Sequence, residues 1–276
     1  MTPDAQTSNS AAESLLAFWR DAGVEWCVED GPVDRTLPPP TPLRAVPKAA
    51  TPAASPAAAP MAVDFSQAIA EAREAVARAD TLEALAAEIA AFDGCGLKRE
   101  GARQAVFSRG NPLGPVMIVG EGPGGEEDER GEPFVGRAGK LLDRMIAAAG
   151  LTGQVFITNT VFWRPPGNRT PTPQEQAVCA PFVEKAISLV NPKVLVLAGA
   201  ASAKSMLRTN EGILGLRGQW REWRSEEGGL VVPALPILHP AFLLRQPAAK
   251  RKAWSDLLAL AERLAELGET PVKLDA

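Results

Sequence analysis

The 276-residue chain contains one histidine, three cysteines and no tyrosine. It has no apolar run of the roughly 18 residues that a membrane helix requires. Its first residues, MTPDAQTSNSAAE, show neither the basic nor the apolar region of a secretion signal. The three cysteines (Cys27, Cys95 and Cys179) are too few and too scattered for a disulfide framework. From these absences we expect a reduced, cytoplasmic protein that does not enter a membrane.

The charge of the chain is unevenly distributed. A formal net charge of −4 argues weakly against nucleic-acid binding. Residues 200–254, however, contain nine Lys or Arg and four Glu, a local excess of +5. Such an excess is usually only a solvated surface, but it also leaves a basic interface possible.

Composition divides the chain into three segments. Residues 11–22 (AAESLLAFWRDA) have the spacing of a short amphipathic helix. Residues 36–60 are so rich in Pro and Ala that they predict a disordered, semi-rigid tether. We therefore predict an N-terminal helical segment (1–31), a Pro/Ala-rich linker (32–62) and one α/β domain (63–276).

The domain begins with a helical pattern and then alternates short apolar runs with helical patterns. The first pattern, 64–92, is interrupted near Asp80, where Thr81 is suited to restart the helix. Predicted strands cover 116–119, 155–158, 194–198 and 234–238, and predicted helices cover 136–149, 172–189, 201–207 and 248–267. Short apolar strands between helices are typical of a parallel sheet buried on both faces. We expect a three-layer α/β/α sandwich with a central, mainly parallel four-stranded sheet.

The segment after the first predicted strand is the strongest candidate for a site, because open α/β sheets bind ligands at the carboxyl ends of their strands. Glycines let the backbone approach a ligand closely there, and Phe134 offers an aromatic face just before a helix. The segment also carries four acidic residues. The glycines are Gly120, Gly122, Gly124 and Gly125, and the acids are Glu121, Glu126, Glu127 and Asp128.

Two further polar residues stand at strand ends. Asn159 follows the second predicted strand, and His239 follows the fourth. A lone histidine is more often structural than catalytic, but its position at this edge favours a functional role. For Asn159 the sequence leaves a strand-end turn residue equally open.

Five blocks of the chain together resemble the family 4 uracil-DNA glycosylases. They are VFSRGNP (106–112), GEGPGGEED (120–128), GEPFVGRAGKLL (131–142), FITNTVFWRPPGNRTP (156–171) and HPAFLLRQP (239–247). The resemblance covers about residues 92–260 and is specific because the blocks occur in the family's order. It implies an enzyme that acts on uracil-containing DNA and releases free uracil.

The resemblance assigns roles to the candidate residues. An enzyme acting on a base must first flip the nucleotide out of the duplex. Phe134 then stacks on uracil, and Asn159 pairs with its N3–H and O4. His239 and the backbone N–H groups of the segment that includes Gly120 and Gly122 stabilise the charge that develops on O2. Glu121 is the first candidate for the residue that activates water, and Asp128 is the second.

The same resemblance places DNA contacts after His239. Leu243 or Leu244 would wedge into the gap left by the flipped nucleotide, although both leucines also suit a hydrophobic lead-in to the last helix. The expected phosphate contacts are Arg245, Lys250, Arg251, Lys252 and Arg169.

The chain departs from the family at its cysteines. Many family members hold an iron–sulfur cluster on four cysteines, and Cys95 and Cys179 match two of these positions. Phe92 and Trp163 stand at the other two. Because such a cluster needs four ligands, we predict that it is absent, and one histidine without a CxxC motif predicts no other metal.

Two other functions are also compatible with the sequence. A nucleotide-binding enzyme could use the glycine-rich turn, but no Lys-Ser/Thr follows the glycines. A catalytically silent DNA-binding or replication-associated module would use the N-terminal helix on its tether to bind a partner. The glycosylase is the preferred prediction, and nothing in the sequence indicates more than a monomer.

Overall fold

The computed structural model describes residues 65–269. The predicted N-terminal helix, the Pro/Ala-rich tether and the boundary at residue 62 lie outside these residues. The strands are β1 (Ser108–Gly110), β2 (Val116–Gly120), β3 (Val155–Asn159), β4 (Val194–Ala198), β5 (Arg221–Arg224) and β6 (Val231–Ile237). The helices are α1 (Phe65–Ala77), α2 (Leu82–Ala91), α3 (Gly125–Arg130), α4 (Arg137–Ala148), α5 (Pro173–Val190), α6 (Ala200–Leu207), α7 (Ile213–Leu216), α8 (Pro240–Arg245) and α9 (Lys250–Glu266).

The six strands form one mixed sheet in the order β1-β3-β2-β4-β6-β5. The inner strands β3, β2, β4 and β6 are parallel, and they are the four that the sequence predicts. The sheet has two more strands than the four predicted, because β1 and β5 pair antiparallel at its two edges. Both edge strands are short, and neither SRG nor REWR contains an apolar run.

Both faces of the sheet are buried, as expected for a three-layer sandwich. Along β2, Met117 and Val119 face one hydrophobic core, while Val116 and Ile118 face another. The first core receives side chains from α1, α2, α5 and α6. The second core receives side chains from α4 and α9. The predicted α/β/α architecture is therefore confirmed.

The helix termini follow local sequence signals. The Thr81 side chain accepts a hydrogen bond from the N–H of Ala84 at 3.1 Å, so α2 restarts where predicted. Thr172 and Glu175 form a reciprocal capping box at the start of α5. The segment after His239 forms the helix α8. No helix within residues 65–269 is long and apolar enough to span a bilayer.

Candidate active site

A cavity of about 780 Å³ opens at the carboxyl ends of the parallel strands. Asn159 at the end of β3 lines it, together with Glu121 after β2, Gly199 after β4 and His239 after β6. From β3, which is next to β2, the chain crosses to β4 on the other side of β2. The cavity therefore lies at the switch point where open α/β sheets bind ligands. Phe134 also lines it, so the structure brings together the predicted aromatic, amide and imidazole groups.

Phe134 is held in an unusual backbone conformation. Its φ is 55°, which is uncommon for a residue other than glycine. Arg109 on β1 donates hydrogen bonds to the carbonyls of Pro133 (2.7 Å) and Phe134 (3.1 Å), and also pairs with Asp143 at 2.6 Å. Gly139 in α4 packs so closely that a Cβ there would overlap the carbonyl of Phe134. These neighbours together maintain the strained segment that presents the ring.

Asn159 carries an unpaired acceptor. Its side chain is 1% exposed, and Oδ1 is the one buried side-chain N or O atom in residues 65–269 that has no hydrogen-bond partner. Leaving such an atom unpaired costs about 1–3 kcal/mol, which a ligand N–H would recover. Gly120 lies beside it, and a Cβ there would overlap Oδ1 and come within 2.5 Å of the Phe134 ring. Because Gly120 has no side chain, the amide of Asn159 and the ring of Phe134 can lie side by side.

His239 is the N-cap residue of α8. Its Nδ1 accepts a hydrogen bond from the N–H of Ala241 at 3.1 Å. Burial and, less strongly, the positive charge of Arg245 lower the pKa of His239 to about 4, against a smaller opposite effect of Glu127. The imidazole is therefore neutral at pH 7, with its proton on Nε2. Its ring centroid lies 5.7 Å from that of Phe134, with the two planes tilted by 31°.

A close backbone approach fixes the position of the imidazole. Gly199, directly after β4, has a φ of 97°, and a Cβ at this position would lie 2.9 Å from the Cβ of His239. Any larger residue there would strain the backbone and press on the histidine. Gly199 thus acts on the site by leaving room for His239.

The acidic residues of the glycine-rich segment have different positions. Glu121 lines the cavity. The carboxylate of Glu127 accepts three backbone hydrogen bonds, from Gly124 (3.1 Å), Val135 (3.0 Å) and Gly136 (2.9 Å). Asp128 is buried outside the cavity lining and accepts from the N–H of Arg103 at 2.8 Å. Of the two residues predicted as the activating base, only Glu121 is at the site.

The two leucines predicted as the DNA wedge differ in burial. Leu243 is 1% exposed and belongs to a small core with Leu141, Leu238 and Ala253. Leu244 is partly buried and packs against the same core. The alternative role, a hydrophobic lead-in to the last helix, therefore describes Leu243 better than intercalation does, because a wedge must project from the surface.

The predicted phosphate contacts divide into two groups. The side chains after His239 are exposed, and Arg245 also lines the cavity; they are Arg245, Lys250, Arg251 and Lys252. Arg169 also lines the cavity, but it forms two hydrogen bonds with Glu175 (2.7 and 2.9 Å) and one with Glu100 (3.3 Å). These carboxylates neutralise its charge, which makes it a poor phosphate ligand and a good support for its loop.

Two side chains that shape the site have roles that the sequence does not predict. Arg109 supports Phe134, and Glu127 ties the glycine-rich segment to the start of α4. Glu127 was recognised only as a charge, since nothing in the sequence shows that its carboxylate turns toward three backbone donors. A lone arginine in a three-residue edge strand gives no signal that it supports a loop 25 residues away.

The cysteine region is packed with aromatic rings. The Sγ atoms of Cys95 and Cys179 lie 4.0 Å apart, and both thiols are buried. Phe92 packs near Trp163 and Phe182, with ring centroids 6.4 and 5.1 Å away. In the described part of the chain no three His, Cys, Asp or Glu side chains are grouped to hold a metal ion. Two thiols do not fit a cluster that needs four ligands.

Comparison with known proteins identifies the family. The profile of the Uracil DNA glycosylase superfamily matches residues 107–258. The chain is 37% identical to a type-4 uracil-DNA glycosylase of Sulfurisphaera tokodaii over 198 residues, which are 70% of this chain and 87% of the relative. It is 43% identical to the type-4 enzyme of Thermotoga maritima over 142 residues, which are 51% and 71% of the two chains. It is 39% identical to that of Pyrobaculum aerophilum over 160 residues, or 56% and 81%.

These matches include the cavity and the strands that build it. The resemblance noted in the five sequence blocks is thus confirmed by a family profile and by whole-domain relatives. The chain belongs to the uracil DNA glycosylase superfamily and, within it, to the type-4 family.

Proposed function

We propose that this protein is a uracil-DNA glycosylase, which flips uracil out of DNA and hydrolyses its N-glycosidic bond to start base excision repair. One observation carries the proposal. The unpaired Oδ1 of Asn159, the ring of Phe134 and the neutral imidazole of His239 all line one cavity. A catalytically silent DNA-binding module has no need for this arrangement, and the family does not favour it.

Recognition of uracil rests on Asn159 and Phe134. The Oδ1 atom accepts from uracil N3–H, and the amide NH2 donates to O4. Cytosine has no N3–H and carries an amino group in place of O4, so a fixed amide would face two wrong partners. Sites that leave buried polar groups unpaired reject such analogues strongly. The ring of Phe134 stacks on the flipped base and keeps the pyrimidine in the plane of the amide.

Bond cleavage places negative charge on the base and positive charge on the sugar, as in glycoside hydrolysis generally. His239 donates Nε2–H to uracil O2, where the negative charge collects. The N–H groups of the segment Gly120–Gly122 are the further donors proposed for this charge. A neutral donor suits the role because it gains a stronger hydrogen bond as the charge develops, without first losing a proton.

Water attacks the sugar after or during departure of the base. Glu121 is the proposed residue that orients this water. It lines the cavity, and its carboxylate makes no hydrogen bond to the surrounding backbone of the described residues. Glu127 lines the cavity too, but its carboxylate already accepts three N–H groups. It is a positioning residue for the segment that holds Phe134.

We further propose that the enzyme acts as a monomer without an iron–sulfur cluster and releases free uracil. Support for the missing cluster comes from Phe92 and Trp163, which stand at the two other cysteine positions of the family and whose buried rings pack near each other. Turnover without a covalent adduct on histidine is expected, because residues 164–172, between the RPP segment and α5, contain no histidine. Iron analysis of the purified protein tests the cluster, and stoichiometric iron would overturn its absence.

The central experiment is an excision assay. A labelled oligonucleotide containing one uracil is incubated with the protein, and abasic sites are then cleaved with alkali. Cleavage at the uracil position is expected, and a matching oligonucleotide with thymine or cytosine should remain intact. The His239→Asn variant is the matched control, because asparagine keeps an N-cap acceptor while removing the imidazole. Binding of uracil-containing DNA without any cleavage would instead support the silent module.

A further inference from the structure

One buried threonine holds the backbone at the end of β2. Thr160, directly after β3, donates its N–H to the carbonyl of Gly120 at 3.0 Å. Its hydroxyl donates to the next carbonyl along the chain, that of Glu121, at 2.6 Å. Thr160 is 2% exposed and does not line the cavity. It therefore holds two consecutive peptides of the glycine-rich segment from outside the cavity.

These two contacts fix the direction of the N–H groups that follow. The peptides are trans, and the C=O and N–H of a planar trans peptide point in opposite directions. Because the carbonyl of Gly120 faces Thr160, the N–H of Glu121 points away from it. The same holds for the carbonyl of Glu121 and the N–H of Gly122. Neither N–H has a hydrogen-bond acceptor in the described part of the chain, and β6, which leads to His239, lies on the side of β2 away from β3.

The hydroxyl of Thr160 is itself oriented by a residue of α5. Gln176 donates from Nε2 to the threonine Oγ1 at 3.1 Å. The carbonyl of Glu121 can only accept, so the single hydroxyl hydrogen goes to that carbonyl, and Oγ1 is left to accept from the glutamine. The three groups form a hydrogen-bonded chain in which the threonine is a fixed donor and not a freely rotating one.

We propose that Thr160 is a positioning residue, which aims the N–H groups of Glu121 and Gly122 at the place that uracil O2 takes as the bond breaks. The inference rests on the proposed glycosylase function and names the residue that organises the backbone donors of that site. Donors that are fixed before the reaction stabilise developing charge without reorganising. Without the hydroxyl, the peptide after Glu121 is free to rotate, so the loss should appear in the transition state and not in substrate binding.

The test compares Thr160→Val and Thr160→Ser with wild type on a labelled oligonucleotide that contains one uracil. Valine keeps the shape of the side chain and removes the hydroxyl. Its kcat should fall by about tenfold, less than the roughly 100-fold that removal of a whole donor costs, while KM changes by less than about threefold. Serine keeps the hydroxyl and should restore kcat to within about threefold of wild type. A raised KM with unchanged kcat would overturn the proposal.

The leaving base provides a second readout. The electron-withdrawing fluorine of 5-fluorouracil stabilises the departing anion, so this base needs less help from hydrogen-bond donors. The loss caused by Thr160→Val should therefore shrink to about threefold on an oligonucleotide with 5-fluorouracil. Equal losses on the two bases would overturn the role in charge stabilisation, because a general disturbance of the site does not depend on the charge that the base carries.

Thr158→Val is the matched control. The hydroxyl of Thr158 is also buried and donates to the carbonyl of Phe107 at 2.7 Å, and neither residue lines the cavity. This variant loses the same kind of hydrogen bond and should lose comparable stability, but it should keep the kcat of wild type. Equal kcat losses in the two valine variants, or full kcat in Thr160→Val, would overturn the positioning role.

Gln176→Ala keeps the proposal testable if Thr160→Val does not fold. Gln176 is only partly buried, and its loss frees the hydroxyl of Thr160 to rotate. We expect kcat to fall by about threefold with KM unchanged, and the loss to be smaller on 5-fluorouracil. An unchanged kcat would overturn the hydrogen-bonded chain. Failure of wild type to release uracil would instead contradict the glycosylase function itself.

Discussion

The backbone N–H of Ala241 donates a hydrogen bond to Nδ1 of His239 at 3.1 Å. This contact makes the imidazole both the cap of α8 and a donor toward the cavity, because a neutral ring that accepts at Nδ1 carries its proton on Nε2. Burial keeps the ring neutral by lowering its pKa. One side chain thus couples the start of a helix to the chemistry of the site.

The first prediction concerns pH. With a pKa of about 4, His239 stays neutral above that pH, so excision should show no histidine step near the usual 6.5 and should fall only as pH approaches 4.

The unfolded chain takes up the proton near pH 6.5 and the folded protein only near 4. Stability should therefore decrease as pH falls through this window, by at most about 3 kcal/mol. Urea unfolding of wild type and His239→Asn at several pH values isolates this contribution, and identical pH dependence of the two proteins would contradict it.

Asn159→Ala should separate activity from stability. The variant removes the amide that distinguishes uracil, so kcat/KM for uracil should fall by about 100-fold or more. Because Oδ1 has no partner in the folded protein, the melting temperature should remain the same or rise. Excision rates and thermal melts are measured on the same preparation. Activity near the wild-type value would remove Asn159 from the mechanism.

Gly120→Ala should disturb the site without adding any charge or polar group. Its methyl group would overlap Oδ1 of Asn159 and press on the ring of Phe134, so we expect about a 10- to 100-fold loss in kcat/KM. Gly229→Ala adds the same methyl group where nothing lies within 4 Å, away from the cavity, and should excise uracil normally. If both variants were equally active, the close approach at Gly120 would have no role in catalysis.

Arg109→Lys tests the support of Phe134. Lysine lacks the planar fork that reaches two carbonyls and Asp143 together, so stability should fall by about 1–3 kcal/mol and uracil excision should weaken as the Phe134 segment relaxes. Asp143→Asn breaks only the half-exposed ion pair and should cost less than about 1 kcal/mol. Denaturant unfolding of both variants is the measurement, and the opposite order of stabilities would refute the support role.

Leu243→Ala should behave as a core substitution. Truncating a fully buried leucine typically costs about 2–5 kcal/mol, whereas truncating the exposed Leu214 should cost less than about 0.5 kcal/mol. Urea midpoints distinguish the two positions. A stable Leu243→Ala variant that lost excision from duplex DNA alone would instead support the wedge role predicted for Leu243 from the sequence.

Much of the fold follows from sequence periodicity. The four inner strands are apolar runs whose alternate residues fill two cores, as Val116 and Met117 do. The break before α2 and the start of α5 depend on the local capping residues Thr81 and Thr172. The edge strands β1 and β5 depend instead on pairing with distant partners, so their own three or four residues gave little signal.

The sequence by itself determined the residue types of the site and their places at strand ends, because parallel strands bring their carboxyl ends to one edge of the sheet. Phe134, Asn159 and His239 follow from that rule. Only the tertiary structure decided that Leu243 is buried in a core, that Arg169 is neutralised, and that Glu127 binds backbone. Those outcomes depend on burial and on hydrogen-bond partners far away along the chain, which no local pattern of residues records.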